Sequence, residues 1–222
     1  MNHEHAILIT AGPTREPIDS VRYLSNRSSG MLGMALAEAA ARAGHPVTLL
    51  LGPVDRPIPE SVEGLRIHRF ETTGELAGLL GEHFPGCRTL IMAAAVSDYK
   101  AVRLAEEPSG VASKLERSAD GLTLQLEPTD DLVARVAAGK RADQMIIAFA
   151  LEEADQLEGR AAEKLKRKRV DAIVANPLET MGAPTIDPVL FTGDGRRHAT
   201  GRLSKRAFAD RLIGWVTDRS KL

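Results

Sequence analysis

A group of hydrogen-bond donors follows the first apolar run of the chain. Residues 6–10 are apolar and helical spacing starts at Leu32. The donors in between are Thr14, Arg15, Arg22, Asn26, Arg27, Ser28 and Ser29. Strand-to-helix connections in α/β units usually take two to six residues, whereas this one takes about twenty. Ordering so long a loop costs conformational entropy, which favours a binding role.

The end of this loop, Ser28-Ser29-Gly30, is the first candidate binding site. It runs directly into the predicted helix, so it would present free backbone N–H groups and the positive end of the helix dipole to an anion. The alternative is that Ser28 or Ser29 only caps the helix, a role for which serine is strongly preferred. The two roles are compatible, because a cap can lie beside a phosphate.

Charged residues elsewhere supply further candidates. Lys164 and Lys168 are four residues apart on one predicted helix and so share a face. Asp98 follows the fourth apolar run, and Lys114 lies in a polar segment. Taken singly, the helix lysines fit a solvated basic helix and Lys114 a surface lysine. Taken together with the serine and glycine loop, they indicate a substrate that carries more than one phosphate.

Several common chemistries lack their motifs. The first turn has only Gly12, followed by Pro13, so the G-x-G-x-x-G dinucleotide fingerprint is missing, as is a G-x-x-x-x-G-K-[ST] phosphate loop. The six histidines show no metal-site spacing. Cys87, in a Pro-Gly-Cys turn with no obvious base, is predicted to be inert rather than nucleophilic.

The pattern of apolar runs predicts the elements that position these residues. Strands are predicted at 6–10, 47–51, 65–70, 89–96, 144–150 and 171–176, and helices at 32–43, 74–84, 130–138, 155–168 and from Ser204 onward. This alternation predicts a single α/β domain over 1–222, with a Rossmann-like, doubly wound and mostly parallel sheet. Segment 101–127 is predicted to be a small β flap with a strand at 122–126, and residues 188–197 a late hairpin. Ligands bind beyond the carboxyl ends of such strands, where the loops after the first and fourth strands lie.

Bulk properties exclude several classes of protein. With 222 residues, of which 43% are hydrophobic, the chain can bury a sizeable core. The net charge of −1 gives no reason to expect nucleic acid or an anionic membrane as a partner. A single cysteine, no apolar run long enough to cross a bilayer and no secretory signal predict a cytoplasmic protein.

The motifs resemble one family in their order along the chain. Residues 10–30 look like the opening of bacterial phosphopantothenoylcysteine synthetase, and 93–99 (Ala-Ala-Ala-Val-Ser-Asp-Tyr) resemble its second motif. Further matches are the flap lysine motif, the nucleotide loop, the strand after it, a later strand and the start of the last helix. They lie at residues 113–115, 127–132, 147–152, 171–176 and 204–205. The resemblance covers essentially the whole chain.

The resemblance implies a ligase that joins 4′-phosphopantothenate to L-cysteine through an acyl-nucleotide intermediate. The nucleotide would be CTP with Mg²⁺, and the alternatives are an ATP-using ligase or a non-catalytic nucleotide- or flavin-binding module. The family pattern assigns Asn26 and Lys114 to catalysis. It assigns the acid substrate to Arg22, Asn26, Ser28, Ser29, Gly30, Ala94 and Ala95. It assigns the nucleotide to Gly12, Asp98, Lys114, Pro128, Thr129, Asp130, Phe149, Lys164 and Lys168, and leaves the metal ligands unknown.

The resemblance also implies a homodimer, because related proteins take the arginine at the position of Arg22 from the neighbouring subunit. In many bacteria the synthetase is fused to a flavin-dependent decarboxylase. No such half precedes the first predicted strand, so no flavin is expected, and the chain is either free-standing or cut from a fusion.

The sequence departs from the family pattern at several positions. Met31 replaces a usual lysine, and Lys114 is the only lysine of the flap motif. Asp187 stands where the family usually has an asparagine before the late hairpin. One extra residue precedes the helix lysines, which leaves Lys164 and Lys166 as alternatives for the nucleotide contact.

Overall fold

The computed structural model describes residues 5–58, 62–102, 113–119 and 121–218. Its strands are β1 Ile7–Ala11, β2 Arg15–Pro17, β3 Tyr23–Ser25, β4 Val47–Leu51, β5 Leu65–Arg69, β6 Thr89–Met92, β7 Tyr99–Ala101, β8 Leu126–Pro128, β9 Met145–Glu152, β10 Ala172–Pro177, β11 Thr185–Ile186, β12 Val189–Thr192, β13 Arg197–Ala199 and β14 Leu203–Ser204. Its helices are α1 Met31–Arg42, α2 Thr73–His83, α3 Leu132–Ala138, α4 Leu157–Lys168 and α5 Lys205–Thr217.

Eight strands form one sheet in the order β13-β12-β10-β9-β6-β1-β4-β5. The six strands from β10 to β5 are parallel, while β12 and β13 add an antiparallel hairpin at one edge. The predicted α/β class, the doubly wound sheet and the late hairpin are confirmed. Apolar runs such as Ile7–Ala11 form central strands because both of their faces are covered by helices.

The two faces of the sheet carry different helices. Ile7 and Ile9 of β1 pack with α1 and α5, whereas Leu8, between them, packs with α2, α3 and α4. Successive strand side chains point to opposite faces, so these two clusters lie on opposite sides of the sheet. The helices α1 and α5 contact each other on the first side. Both sides can therefore contribute residues to a site at the strand ends.

The structure corrects four details of the sequence prediction. The fourth strand ends at Met92 rather than residue 96 because Ala94 turns away and donates its N–H to Thr10 Oγ1. Residues 122–125 are not a strand, and the strand in this segment is Leu126–Pro128, which pairs with Tyr99–Ala101. The long first loop, for which no strand was predicted, contains a hairpin, β2–β3. The predicted flap lies partly outside the described residues, at 103–112 and 120.

The N-terminus of α1 is the fourth correction. Neither Ser28 nor Ser29 is its cap: the N-cap is Gly30, in a left-handed conformation with φ 69°, and it makes no side-chain capping bond. Ser28 Oγ instead accepts from Gly30 N at 3.4 Å. Only glycine adopts such a φ readily. The cap predicted for the last helix is confirmed, since Ser204 Oγ accepts from Ala207 N at 3.1 Å.

The described helices include none that is both long and apolar enough to span a bilayer.

Cys87 is buried at the turn before β6, and its Sγ donates to His83 O at 3.3 Å. Burial raises the pKa of the Cys87 thiol to about 11 from 9.0. The thiolate is the reactive form. We therefore expect the native protein to react with a thiol reagent at pH 8 about 100-fold more slowly than the unfolded chain, since each pKa unit is a factor of ten. Spectroscopic thiol titration with and without denaturant measures this, and rapid modification of the native state would contradict it.

Candidate functional site

A cavity of about 780 Å³ opens at the carboxyl ends of β1, β6, β9 and β10. Twelve of the residues assigned from sequence line it: Asn26, Ser28, Ser29, Gly30, Ala94, Ala95, Asp98, Thr129, Asp130, Phe149, Lys164 and Lys168. This is the location that the parallel sheet predicts for a ligand site. Asn26 and Asp98, from loops far apart in sequence, face the same space.

The floor of the cavity is held by hydrogen bonds between the first loop and the loop after β6. Ala95 N donates to Gly12 O at 2.9 Å, and Thr14 N donates to Ala95 O at 3.2 Å. The buried Thr14 hydroxyl accepts from Ser97 N at 2.9 Å. These contacts fix the backbone of Ala94–Asp98 against the first loop.

Asn26, in the first loop, also bonds to the loop after β6. Its Nδ2 donates to Ala95 O at 3.3 Å and to Val96 O at 3.0 Å. The side chain is exposed, so it reaches both the loop carbonyls and the cavity. A substrate group beside Asn26 would therefore lie directly next to the loop after β6.

The loop after β8 is tied to the same floor. Thr129 N donates to Asp98 O at 3.0 Å, and the Thr129 hydroxyl donates to Ser97 O. Asp131 then caps α3 by accepting from Ala134 N at 3.1 Å. Phe149, half-buried in β9, lines the cavity close by. The loop after β6 thus connects the residues assigned to the acid substrate with those assigned to the nucleotide.

Helix α4 brings a positively charged surface to the cavity, and two of its lysines already have carboxylate partners. Lys164 Nζ lies 2.5 Å from Glu152 Oε1, and the Glu152 side chain is 5% exposed. Lys168 Nζ lies 3.1 Å from Asp131. The structure places Lys164 rather than Lys166 on the cavity.

Asp131 is an acid stabilised in its ionised form. Its partial burial alone raises the pKa, but the hydrogen bonds from Ala134 N and Lys168, together with nearby positive charge, outweigh burial and hold the pKa of the carboxyl below its usual range. Its charge is therefore kept at neutral pH and holds Lys168 at the cavity wall.

Four assigned residues do not line the cavity of the single chain. Gly12 lies beneath the floor, where an added Cβ would meet Val54 Cγ1 at 3.1 Å. Pro128 belongs to the β7–β8 hairpin and is exposed. Lys114 is exposed and outside the lining. Arg22 is exposed and bound elsewhere, as described next.

Arg22 and Asp19 hold the segment that carries Lys114. Arg22 Nη1 lies 2.7 Å from Asp19 Oδ2, and Arg22 Nη2 donates to Leu115 O at 3.3 Å. Leu115 N donates to Asp19 Oδ2 at 3.2 Å. Burial alone raises the pKa of Asp19, but backbone donors at Val21, Arg22 and Leu115 and the Arg22 charge keep it below its usual range. The first loop therefore tethers the residue next to Lys114.

Sequence analysis gave no role to several lining residues. Arg167 lies between the two α4 lysines, Thr180–Gly182 follow β10, and Lys205 begins α5. The strand order could have identified Thr180–Gly182: β10 lies parallel and next to β9, so the loop after β10 reaches the same edge of the sheet. The described ranges contain no group of three or more histidine, cysteine, aspartate or glutamate residues placed to hold a metal ion.

Comparison with known proteins identifies the family to which the chain belongs. The family model of the DNA/pantothenate metabolism flavoprotein C-terminal domain matches residues 2–219. A prokaryotic cysteine/cysteine sulfinic acid decarboxylase from an unknown organism is 39% identical over 178 residues, covering 80% of this chain and 47% of that protein. The coenzyme A biosynthesis bifunctional protein CoaBC of Escherichia coli K12 is 41% identical over 172 residues, covering 78% of this chain and 41% of that protein.

The solved structures agree with the sequence relatives. The crystal structure of the C-terminal domain of a coenzyme A biosynthesis bifunctional protein CoaBC is similar with a TM-score of 0.79 and 29% identity, over 97% of this chain and 95% of that one. The chain spans less than half the length of the two curated relatives, at 47% and 41%. From the family match over nearly its whole length, the chain belongs to the family of the DNA/pantothenate metabolism flavoprotein C-terminal domain.

Proposed function

We propose that this chain is a phosphopantothenate–cysteine ligase that activates 4′-phosphopantothenate with CTP. The observation that carries the proposal is the shared cavity in which Asn26, Asp98, Phe149 and the α4 lysines meet. Its volume of about 780 Å³ suits two small molecules of this size. The family membership supports the same reaction, since the bifunctional relatives act in coenzyme A biosynthesis.

The proposed reaction has two balanced steps. The carboxylate oxygen of the acid attacks the α-phosphorus of CTP, and the bond to the β-phosphate oxygen breaks, which releases pyrophosphate. The cysteine amine then attacks the acyl carbon of the acyl-cytidylate, loses a proton, and CMP leaves with the bonding electrons. A free carboxylate is a poor acyl donor at neutral pH, so the first step supplies the activation.

The side chains need to do little beyond alignment and charge neutralisation. Positioning two reactants in line can lower a barrier by about 7–11 kcal/mol. Asn26 and the backbone of Ala94 and Ala95 would hold the acid, while Lys164 and Lys168 would face the phosphates or the cytosine end of the nucleotide. Fixed cations and N–H donors stabilise charge that develops on phosphate oxygens. Lys114 would have to move toward the cavity to take part, since it lies outside the lining.

Mg²⁺ in nucleotide sites is held mainly by phosphate oxygens and water, with one or two carboxylates. The exposed carboxylates of Asp98 and Asp130 lie at the cavity and fit that role. Bound there with the nucleotide, Mg²⁺ would neutralise phosphate charge. The absence of a flavin remains part of the proposal.

Pyrophosphate release tests the reaction. We expect one equivalent of pyrophosphate per active site from CTP and 4′-phosphopantothenate before cysteine is added, and steady turnover to the amide afterwards. Omission of the acid is the control and should abolish release. ATP at equal concentration decides the nucleotide, and faster release with ATP would replace CTP in the proposal. Nucleotide binding without any release would overturn the ligase and support a non-catalytic binding module.

Lys164→Met should affect both nucleotide binding and stability. Among the residues that the structure describes, the variant leaves the Glu152 carboxylate, 5% exposed, with Arg160 at 3.9 Å as its remaining cationic partner. Removing one partner of a buried ion pair costs about 3–5 kcal/mol. We expect CTP affinity to fall about 10- to 100-fold, because a hydrogen bond to a charged group is worth about 1.5–3 kcal/mol. Calorimetric CTP titration and urea unfolding measure the two effects. Lys166→Met is the matched comparison, and a larger loss of CTP affinity in that variant would reverse the assignment.

A homodimer is proposed together with the ligase. Exposed apolar side chains gather on the two small hairpins β2–β3 and β7–β8, which contact each other: Val21, Tyr23, Tyr99 and Leu126. Arg22 lies beside Val21 and Tyr23, where a second copy could receive it. We expect light scattering to give about twice the chain mass of 23.9 kDa. A monomeric mass at working concentration would contradict the dimer.

A further inference from the structure

Glu16, in β2, carries a buried carboxylate that does not line the cavity. The residue is 5% exposed, and its Oε1 accepts from Thr73 N at 2.8 Å and from the Thr73 hydroxyl at 2.6 Å. Thr73 is the first residue of α2, where backbone N–H groups lack partners within the helix and the helix dipole is positive. The start of α2 therefore offsets the cost of removing this carboxylate from water.

Two threonine hydroxyls connect the Glu16 carboxylate to the loop after β6. Thr73 Oγ1 lies 3.4 Å from Thr14 Oγ1, and Thr14 Oγ1 accepts from Ser97 N at 2.9 Å. All four residues are at most 6% exposed, so water has little access to compete for these groups. Of the four, Ser97 lines the cavity and the other three lie behind it.

The carboxylate determines the direction of each hydrogen bond in this chain. An ionised carboxylate only accepts, and a hydroxyl has one hydrogen to donate. The Thr73 hydroxyl therefore gives its hydrogen to Glu16 and accepts from the Thr14 hydroxyl at its second contact. Thr14 Oγ1 then keeps its lone pairs for the N–H of Ser97. Hydrogen bonds in such a chain polarise one another, which strengthens the last bond.

The loop after β6 passes this restraint on to the loop after β8. Ser97 O accepts from the Thr129 hydroxyl, and Asp98 O accepts from Thr129 N at 3.0 Å. Asp98 and Thr129 both line the cavity. A continuous series of hydrogen bonds and one short piece of backbone therefore links the start of α2 to two cavity residues.

We propose that Glu16 and Thr73 are positioning residues, which act through Thr14 to fix the loop after β6 for acyl transfer. The inference rests on the proposed ligase function. Neither residue lines the cavity, so neither is expected to contact a ligand. A change at either residue should move the reacting groups out of line while the groups that bind the ligands stay present.

Substitutions at two neighbouring threonines separate positioning from stability. Thr73→Val removes the hydroxyl and keeps the N–H bond to Glu16. We expect kcat to fall about 10- to 100-fold and CTP affinity to change by no more than about threefold, because a displacement of about 1 Å between reacting groups can cost about 100-fold in rate. Thr73→Ser restores the hydroxyl and should recover most of the native kcat.

Thr72→Ala is the matched control. Thr72 Oγ1 caps α2 by accepting from Glu75 N at 3.2 Å, and it takes no part in the chain to Ser97. Loss of an N-cap destabilises a helix, so the thermal unfolding midpoint should fall while kcat stays native. Native kcat in Thr73→Val, or an equal loss of kcat in Thr72→Ala, would overturn the proposal.

Hydrogen exchange of the Ser97 amide tests the chain without any reaction. We expect exchange about tenfold faster in Thr73→Val than in the native protein, because the Thr14 hydroxyl loses its acceptor and the bond from Ser97 weakens. Thr72→Ala should leave the exchange rate unchanged. If the native protein makes the amide and Ser97 exchange is unaffected in Thr73→Val, this inference fails while the ligase stands. If the native protein makes no product, the ligase fails, and the exchange rate still decides whether Glu16 and Thr73 hold the loop.

Discussion

Asn26→Ala is expected to lower kcat for amide formation about 100-fold. The Nδ2 of Asn26 donates to Ala95 O and Val96 O, at 3.3 Å and 3.0 Å, and so joins the first loop to the loop after β6. Without it, the first loop and the loop after β6 lose the side-chain link nearest the cavity, and the bond from Ser97 N to the buried Thr14 hydroxyl remains. A displacement of about 1 Å between reacting groups can cost about 100-fold in rate. Stopped-flow pyrophosphate release and steady-state turnover measure the change.

The stability of Asn26→Ala shows whether lost activity comes from the site itself or from general destabilisation of the fold. Asn26 is exposed, and exposed substitutions usually change the free energy of unfolding by no more than about 0.5 kcal/mol. We therefore expect urea unfolding to match that of the native protein. Asn26→Asp is the comparison of equal size: it cannot donate to the two carbonyls and should be equally impaired. Native turnover in either variant would exclude Asn26 from the reaction.

Gly33→Ala should give a large loss of stability. Gly33 lies in α1 where the helix crosses β1, and an added Cβ would stand 2.4 Å from Ala11 Cβ and 3.0 Å from Thr10 O. Contacts this short force α1 away from the sheet, and overpacking of this kind costs about 1–3 kcal/mol. Because Ser28–Gly30 lead directly into α1, the anion loop should move with it and ligand affinity should fall.

Gly78→Ala is the matched control for that prediction. Gly78 also lies within a helix, α2, but is exposed, and an added Cβ meets nothing within 4 Å. Alanine is about 1 kcal/mol more favourable than glycine inside a helix. We therefore expect Gly78→Ala to raise the unfolding midpoint and Gly33→Ala to lower it. Equal effects of the two variants in a thermal scan would show that α1 does not pack against β1 as described.

Much of the architecture was predictable because it depends on local composition. The run Ile7–Ala11 is apolar on both faces, so it fits only a covered strand. The helix pattern ending near Gly44 and the Ser204 cap are likewise set by neighbouring residues. The predicted strand at 122–126 was wrong. Alternation of apolar and polar residues indicates a half-exposed strand but does not identify its partner, and pairing with Tyr99–Ala101 places the strand at Leu126–Pro128.

The sequence by itself determined the fold class, the family resemblance and the loops that could bear ligands, since these follow from residue type and spacing. Only the tertiary structure decided which residues share the cavity. It brought Asn26 and Asp98 to the same cavity, placed Lys164 rather than Lys166 on the cavity wall, and added Lys205 from a position late in the chain. The reason is that the cavity depends on the order of strands in the sheet, with β6 between β1 and β9. That order is set by pairing between residues far apart in sequence, which local sequence patterns do not predict.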